Sequence, residues 1–130
     1  MNSKLIWKFD TGPLPTSEFD LIVSGKKVGF LQLRHKPSAG EDIPSHMASH
    51  MYYEINETEQ RKGYGNLILK LGIKEARNRN FKEIILTVNE DNTPSRKIIE
   101  NSGGILIDKA KLADGKMFLK YKINLENTAV

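Results

Sequence analysis

The chain has 130 residues, 38% of them hydrophobic and 28% charged, a size and balance that fit one compact domain over residues 1–130. It contains no cysteine, so it has neither a disulfide framework nor a thiolate metal site and must fold on its hydrophobic core. The net charge of +4 is spread thinly, with six basic and five acidic side chains in residues 1–50 and no long basic tract, which favours an ordinary solvated surface over a dedicated nucleic-acid face.

No uninterrupted apolar stretch approaches the ~20 residues of a membrane-spanning helix. Residues 1–5 lead into a mixed segment rather than the apolar run of a signal peptide. A cytoplasmic protein with no membrane partner is expected, and the missing cysteines suit that reducing compartment.

Residues 19–23 and 28–34 are strand-like runs on either side of Ser24-Gly25-Lys26-Lys27, and together they read as an antiparallel hairpin. Residues 35–49, polar and punctuated by Pro37, Gly40 and Pro44, read as a long loop of the kind that often serves function. Residues 50–55 form the next strand. From residue 65 to about 79 the period becomes helical, with Leu67, Ile68, Leu71 and Ala76 inward and Lys70, Lys74, Glu75 and Arg77 toward water. Gly72 inside that helix costs about 1 kcal/mol relative to alanine, which predicts a close approach to whatever lies beneath.

Residues 83–88 are nearly all apolar, as in a strand buried on both faces. Strand, helix and strand in this order make a βαβ unit with roughly parallel strands. Asn92 or Thr93 caps a second helix, Pro94 suits its first turn, and Gly103-Gly104 ends it after Asn101. Residues 105–107, a turn around Asp114-Gly115, and a final alternating run complete the chain. Met117, Leu119, Tyr121, Ile123 and Leu125 share one face of that run, the pattern of a half-buried antiparallel strand.

The informative stretch is Gln60-Arg61-Lys62-Gly63-Tyr64-Gly65-Asn66, between a strand and a helix. Its glycines free the backbone to present successive N–H groups at a helix N-terminus, where the dipole is positive, and Arg61 and Lys62 add charge. A pyrophosphate fits such a cradle. The stretch is not a P-loop, which needs Gly-x-x-x-x-Gly-Lys-Ser/Thr. Nor is it a Rossmann fingerprint, because Ile68 stands where the last glycine or alanine should be.

Gln60-x-x-Gly63-x-Gly65, a buried strand, and then Asn92-x-x-Ser95 opening a second helix resemble the GNAT superfamily of acyl-CoA-dependent N-acyltransferases. The resemblance covers roughly residues 50–107, and the wording from His50 to Gly104 is similar to a bacterial branch of predicted acetyltransferases. It implies an α/β (α+β) fold: a mixed, mostly antiparallel sheet with a central parallel βαβ pair and two main helices. It also implies acetyl-CoA, or another short acyl-CoA, as cosubstrate and no metal. Through the resemblance, Gln60, Arg61, Lys62, Gly63, Tyr64, Gly65 and Asn66 would cradle the pyrophosphate. The pantetheine would follow the strand ending at Ile55, and Asn92 and Ser95 would face it from the other side. The implied activity is acetyl transfer to a primary amine of a small molecule or peptide, by direct attack on the thioester.

A lysine-like amine is free of its proton in only about one molecule in 2,500 at pH 7, so a base is needed. Glu54 and His50, with His46 less directly, are the candidates, and Tyr53 is the third catalytic candidate. Tyr52 and Tyr53 project to opposite faces of their strand, so at most one is expected to line the cleft.

Two positions depart from the family pattern. Ile99 stands where many members carry a tyrosine that protonates the leaving thiolate. Between Lys8 and Phe19 there is no room for the two helices that usually wall the acceptor site, so the cleft should be open there. A non-catalytic acyl-CoA-binding module is therefore the alternative reading. An exposed final strand or an incomplete cleft would favour a homodimer.

Overall fold

Alternation in sequence becomes alternation in burial along residues 16–23. The computed structural model describes residues 2–11, 16–38 and 43–126. Strands β1 (Ser3–Thr11), β2 (Thr16–Val23), β3 (Lys26–Ser38) and β4 (Ser49–Ile55) pair in chain order as one antiparallel sheet. Along β2 every second side chain, Ser17, Phe19, Leu21 and Val23, is buried, as a strand with one covered face requires. Only residues 12–15 separate β1 from β2. Ser24 and Gly25 turn the chain from β2 to β3, both with positive φ, as a two-residue hairpin needs.

β3 differs from expectation by running on to Ser38 through part of the segment read as a loop. Its pairing with β2 ends at Thr16–Arg34, and it meets β4 again at Ser38–Ser49 after an irregularity. Pro37 thus falls where the regular ladders have lapsed, a position at which the missing N–H is tolerated. The described rest of that segment includes a 3₁₀ turn, Ser45–Met47. Gly40 lies outside the described residues.

The other half of the molecule follows the predicted order: α1 (Tyr64–Asn78), β5 (Glu83–Asn89), α2 (Thr93–Asn101), β6 (Ile105–Lys111) and β7 (Met117–Asn124). β5, β7 and β6 form a second antiparallel sheet in that spatial order. The buried stripe of α1 is Ile68, Leu69, Gly72, Ile73 and Ala76, with Leu67 and Leu71 at its margin. It is rotated slightly from the stripe that periodicity suggested. Gly72 behaves as expected: a Cβ there would lie 3.0 Å from Met51 Cε and 3.1 Å from Leu31 Cδ2. The helix therefore sits directly on β3 and β4.

α2 ends as predicted, with Gly103 at positive φ and the Gly104 N–H donating to the Ile99 carbonyl at 2.9 Å. One contiguous core joins Leu21, Leu31 and Leu33 of the first sheet to both helices and to Ile84, Leu86, Leu119 and Tyr121 of the second. This is the expected α+β class, with antiparallel sheets and two helices. Its functional feature is a seam, because β4 and β5 lie side by side without a shared ladder.

Candidate functional site

The seam is strapped at one end and open at the other. Near the starts of both strands the Ile85 N–H donates to His50 Nδ1 at 2.9 Å, and the imidazole packs edge-on against Phe81. A backbone donor that would otherwise have joined a ladder is satisfied by a side chain. Beyond this strap a cavity of about 330 Å³ opens between Met51, Tyr52 and Tyr53 on one side and Leu86, Thr87, Val88 and Asn89 on the other.

His50 was a candidate base. It is 8% exposed and borders neither this cavity nor the groove described next. Burial is the main influence that lowers its pKa from 6.5, the Glu83 charge opposes it, and Lys120 adds to it. A histidine whose folded pKa lies below its unfolded one binds its proton first in the unfolded chain. The stability it confers is therefore complete above pH 6.5 and lost as pH falls through the folded value. Urea unfolding is expected to show a falling midpoint from about pH 7.5 to about 5.5. His50→Ala should flatten that slope and cost about 1–3 kcal/mol by leaving the Ile85 N–H unpaired. An unchanged profile in the variant would remove the strap from the account.

The second opening is a groove of about 820 Å³ at the start of α1. The predicted cofactor residues Ile55, Gln60, Arg61, Gly63, Tyr64, Gly65 and Asn66 line it on one side, and the predicted Asn92 and Ser95 line it on the other, together with Lys97, which the sequence had not singled out. Gly63 caps α1 with φ +82°, so the cap itself offers the first amides of the helix no side-chain acceptor. Arg61, just before it, also takes a positive φ of 66°. Such a conformation in a non-glycine residue is uncommon and marks a tightly specified loop. Gln60 Nε2 donates to the Ile55 carbonyl at 3.2 Å, tying the loop back to the end of β4.

Lys62, the other expected cation, does not border the groove. Its ammonium bonds Glu59 at 2.8 Å, and Lys26 of the β2–β3 hairpin bonds the same carboxylate. Glu59 is 3% exposed, and its two lysines hold its carboxyl below the usual range. Sequence reasoning missed Glu59, because nothing local marks one of three nearby glutamates as buried.

The two openings share Tyr53, Asn92 and Ser95. Asn92 Oδ1 accepts the Ser95 N–H at 3.3 Å, the N-cap of α2. The Tyr53 hydroxyl is buried and has no partner at hydrogen-bond geometry among the described residues. Burial raises its pKa above 10.0, and the nearby Ser95 hydroxyl partly offsets that. Ile99, at the position noted for its missing tyrosine, forms part of the cavity wall.

Tyr52 and Tyr53 both border the cavity, where one at most was expected. Without a ladder between β4 and β5 the gap passes through the sheet, so both strand faces reach it. The Tyr52 hydroxyl donates to Glu54 at 3.1 Å, and Glu54 borders the groove. Tyr121 is engaged elsewhere, donating to Glu100 at 2.6 Å. His46 lies apart, exposed and 3.8 Å from Asp108. Arg34, Asn89, Met47 and Phe118 also line the cavity and went unremarked in the sequence. Among the described residues no three His, Asp or Glu side chains cluster as metal ligands.

Residues 6–103 match the acetyltransferase (GNAT) family. No curated protein matches the chain. Among solved structures, the fold is similar to AAC(6')-Ib in complex with ribostamycin and coenzyme A, with a TM-score of 0.69 and 14% identity over 88% of this chain and 69% of that one. It is similar to Mycobacterium smegmatis RimJ in complex with CoA-disulfide, at 0.71 and 19% over 88% and 56%. It is also similar to YncA of Salmonella typhimurium with its cofactor acetyl-CoA, at 0.67 and 16% over 90% and 68%. At such identities these likenesses speak for the fold, whereas the family match spans well over half of the sequence. The chain belongs to the acetyltransferase (GNAT) family.

Proposed function

We propose that this protein is an acetyl-CoA-dependent N-acetyltransferase acting on a primary amine of a small molecule or peptide. The observation that carries the reading is the meeting of two openings at Tyr53, Asn92 and Ser95, one at a helix N-terminus and one in the seam between β4 and β5. The groove suits the cofactor: unblocked helix amides, the glycine cap, and Arg61 and Lys97 match a diphosphate, and Ile55 offers a strand end for an extended chain. When bound, the cofactor supplies an activated thioester. The solved AAC(6')-Ib, RimJ and YncA structures hold coenzyme A or a derivative of it, which supports the assignment.

The amine enters from the cavity, its nitrogen bonding to the acyl carbon as the carbon–sulfur bond breaks. Glu54 takes the amine proton through water or the Tyr52 hydroxyl that already donates to it. The backbone near Ile55 polarises the carbonyl. Tyr53 gives its proton to the departing thiolate, in place of the tyrosine missing at position 99. His50 contributes by holding the seam together rather than by moving protons. We place the protein in the cytoplasm on its cysteine-free composition.

Titrating acetyl-CoA calorimetrically, with desulfo-CoA and ADP as controls, tests the cofactor assignment. Thiol release with amines then tests the transfer. Micromolar binding together with amine-dependent release supports the enzyme. Binding with no release under any amine would favour an acyl-CoA-binding module, the reading that Ile99 favours. Absence of binding would overturn both.

A further inference from the structure

Glu59 is a buried acid at the edge of a groove that suits a diphosphate, and the transfer chemistry makes no use of it. A carboxylate only 3% exposed is tolerated when its charge is met. Here Lys26 bonds one oxygen, and the Lys62 ammonium donates to the other at 2.8 Å. Each oxygen thus has its own charge-assisted bond.

The two lysines come from different parts of the chain. Lys26 opens β3 just after the hairpin turn, and the same hairpin also holds the chain ahead of Glu59. The Asn56 N–H donates to the Val28 carbonyl at 2.8 Å, and Asn56 Nδ2 donates to the Lys27 carbonyl at 3.2 Å. Lys62 lies inside the loop itself, between Arg61 at φ 66° and Gly63 at φ 82°. Arg61 and Gly63 border the groove, whereas the ammonium of Lys62 is bonded to Glu59. A left-handed arginine persists only where its surroundings over-determine it. A carboxylate anchored to the hairpin on one side and to the neighbour of Arg61 on the other supplies that constraint.

Resting on the acetyl-CoA reading, we propose that Glu59 is a positioning residue for the cofactor loop. Clamped between Lys26 and Lys62, it fixes the left-handed turn at Arg61 and so holds Arg61 and the first amides of α1 toward the diphosphate. The two ammonium groups also cancel the repulsion that a bare carboxylate would exert on that anion. Simple electrostatics and the clamp make opposite predictions. Removing an acid beside an anion site should tighten binding, whereas removing the clamp should loosen it.

The test is calorimetric titration of acetyl-CoA into the purified full chain, with the melting temperature of each variant recorded. Glu59→Gln should raise the acetyl-CoA Kd by about tenfold, a typical coupling between residues of one network. Glu59→Asp, which keeps the charge, should lose no more than about threefold. Lys26→Met changes an exposed side chain and should weaken binding by a factor comparable to Glu59→Gln. It carries the test if Glu59→Gln melts below the working temperature. In the double variant the two losses should not add, because each breaks the same clamp. Glycine adopts the left-handed turn without constraint, so in an Arg61→Gly background Glu59→Gln should change Kd by less than about threefold.

An unchanged or lower Kd in Glu59→Gln would overturn the inference, even with a lower melting temperature, since the residue would then be structural alone. Additive losses in the double variant would overturn it too, as would an undiminished loss in the Arg61→Gly background. A wild-type chain that binds no acetyl-CoA would overturn the parent reading and the inference with it.

Discussion

Replacing Gly63 with glutamate is expected to weaken acetyl-CoA binding by about 100-fold or more. Two effects add. Gly63 caps α1 at φ +82°, a conformation that costs any residue with a Cβ about 1–2 kcal/mol. A Cβ built there meets nothing within 4 Å, so the new side chain would project into open space beside the groove. A carboxylate placed there competes for the helix amides and repels the cofactor's diphosphate. At an effective dielectric near 20, like charges about 4 Å apart cost about 4 kcal/mol. Gly63→Ala is the control, because it carries the backbone strain without the charge and should lose far less affinity. Calorimetry with acetyl-CoA, alongside thermal melting of both variants, separates the two contributions. Wild-type affinity in the glutamate variant would dismiss the cradle.

Tyr53→Phe should lower kcat for acetyl transfer by about 10²-fold, within the range that a positioned acid contributes, while acetyl-CoA still binds within about twofold. The hydroxyl stands where groove and cavity meet, and burial pushes its pKa above 10.0. It therefore remains a proton donor throughout the working range of pH. Its hydroxyl, buried beside Ser95 with no partner at hydrogen-bond geometry among the described residues, gives a second, opposite expectation. Deleting a buried, unsatisfied hydroxyl should leave the melting temperature unchanged or slightly raised. A purely structural tyrosine would instead cost stability and leave kcat in place. Measuring kcat and melting temperature on the same preparation distinguishes the two roles.

Much of the geometry of the candidate groove was legible in the chain. Gln60, Gly63 and Gly65 open α1 on the groove, and Asn92 and Ser95 open α2 opposite, as the motif spacing implied. These features are local: which residue tolerates positive φ, which caps a helix and where a strand must end are decided within a few neighbours. His50 shows the limit of such reasoning. Two-residue spacing along a strand would put it on the face of Tyr52 and Glu54, yet its Nδ1 accepts the N–H of Ile85, 35 residues away across the seam. Glu59 shows it again. Its burial depends on Lys26, 33 residues earlier, reaching it from a hairpin that no local pattern connects to the loop.

From the sequence alone came the alternating strands, the two helices and their caps, and the glycine-opened cradle, because hydrophobic period and backbone permissiveness are written residue by residue. The tertiary structure decided the division into two sheets, the strap that holds their seam, and the meeting of Tyr53 with Asn92 and Ser95. It also brought Arg34 and Asn89 to one cavity. Those outcomes depend on which distant segments pack together, and packing is settled by the whole core rather than by any one stretch of chain.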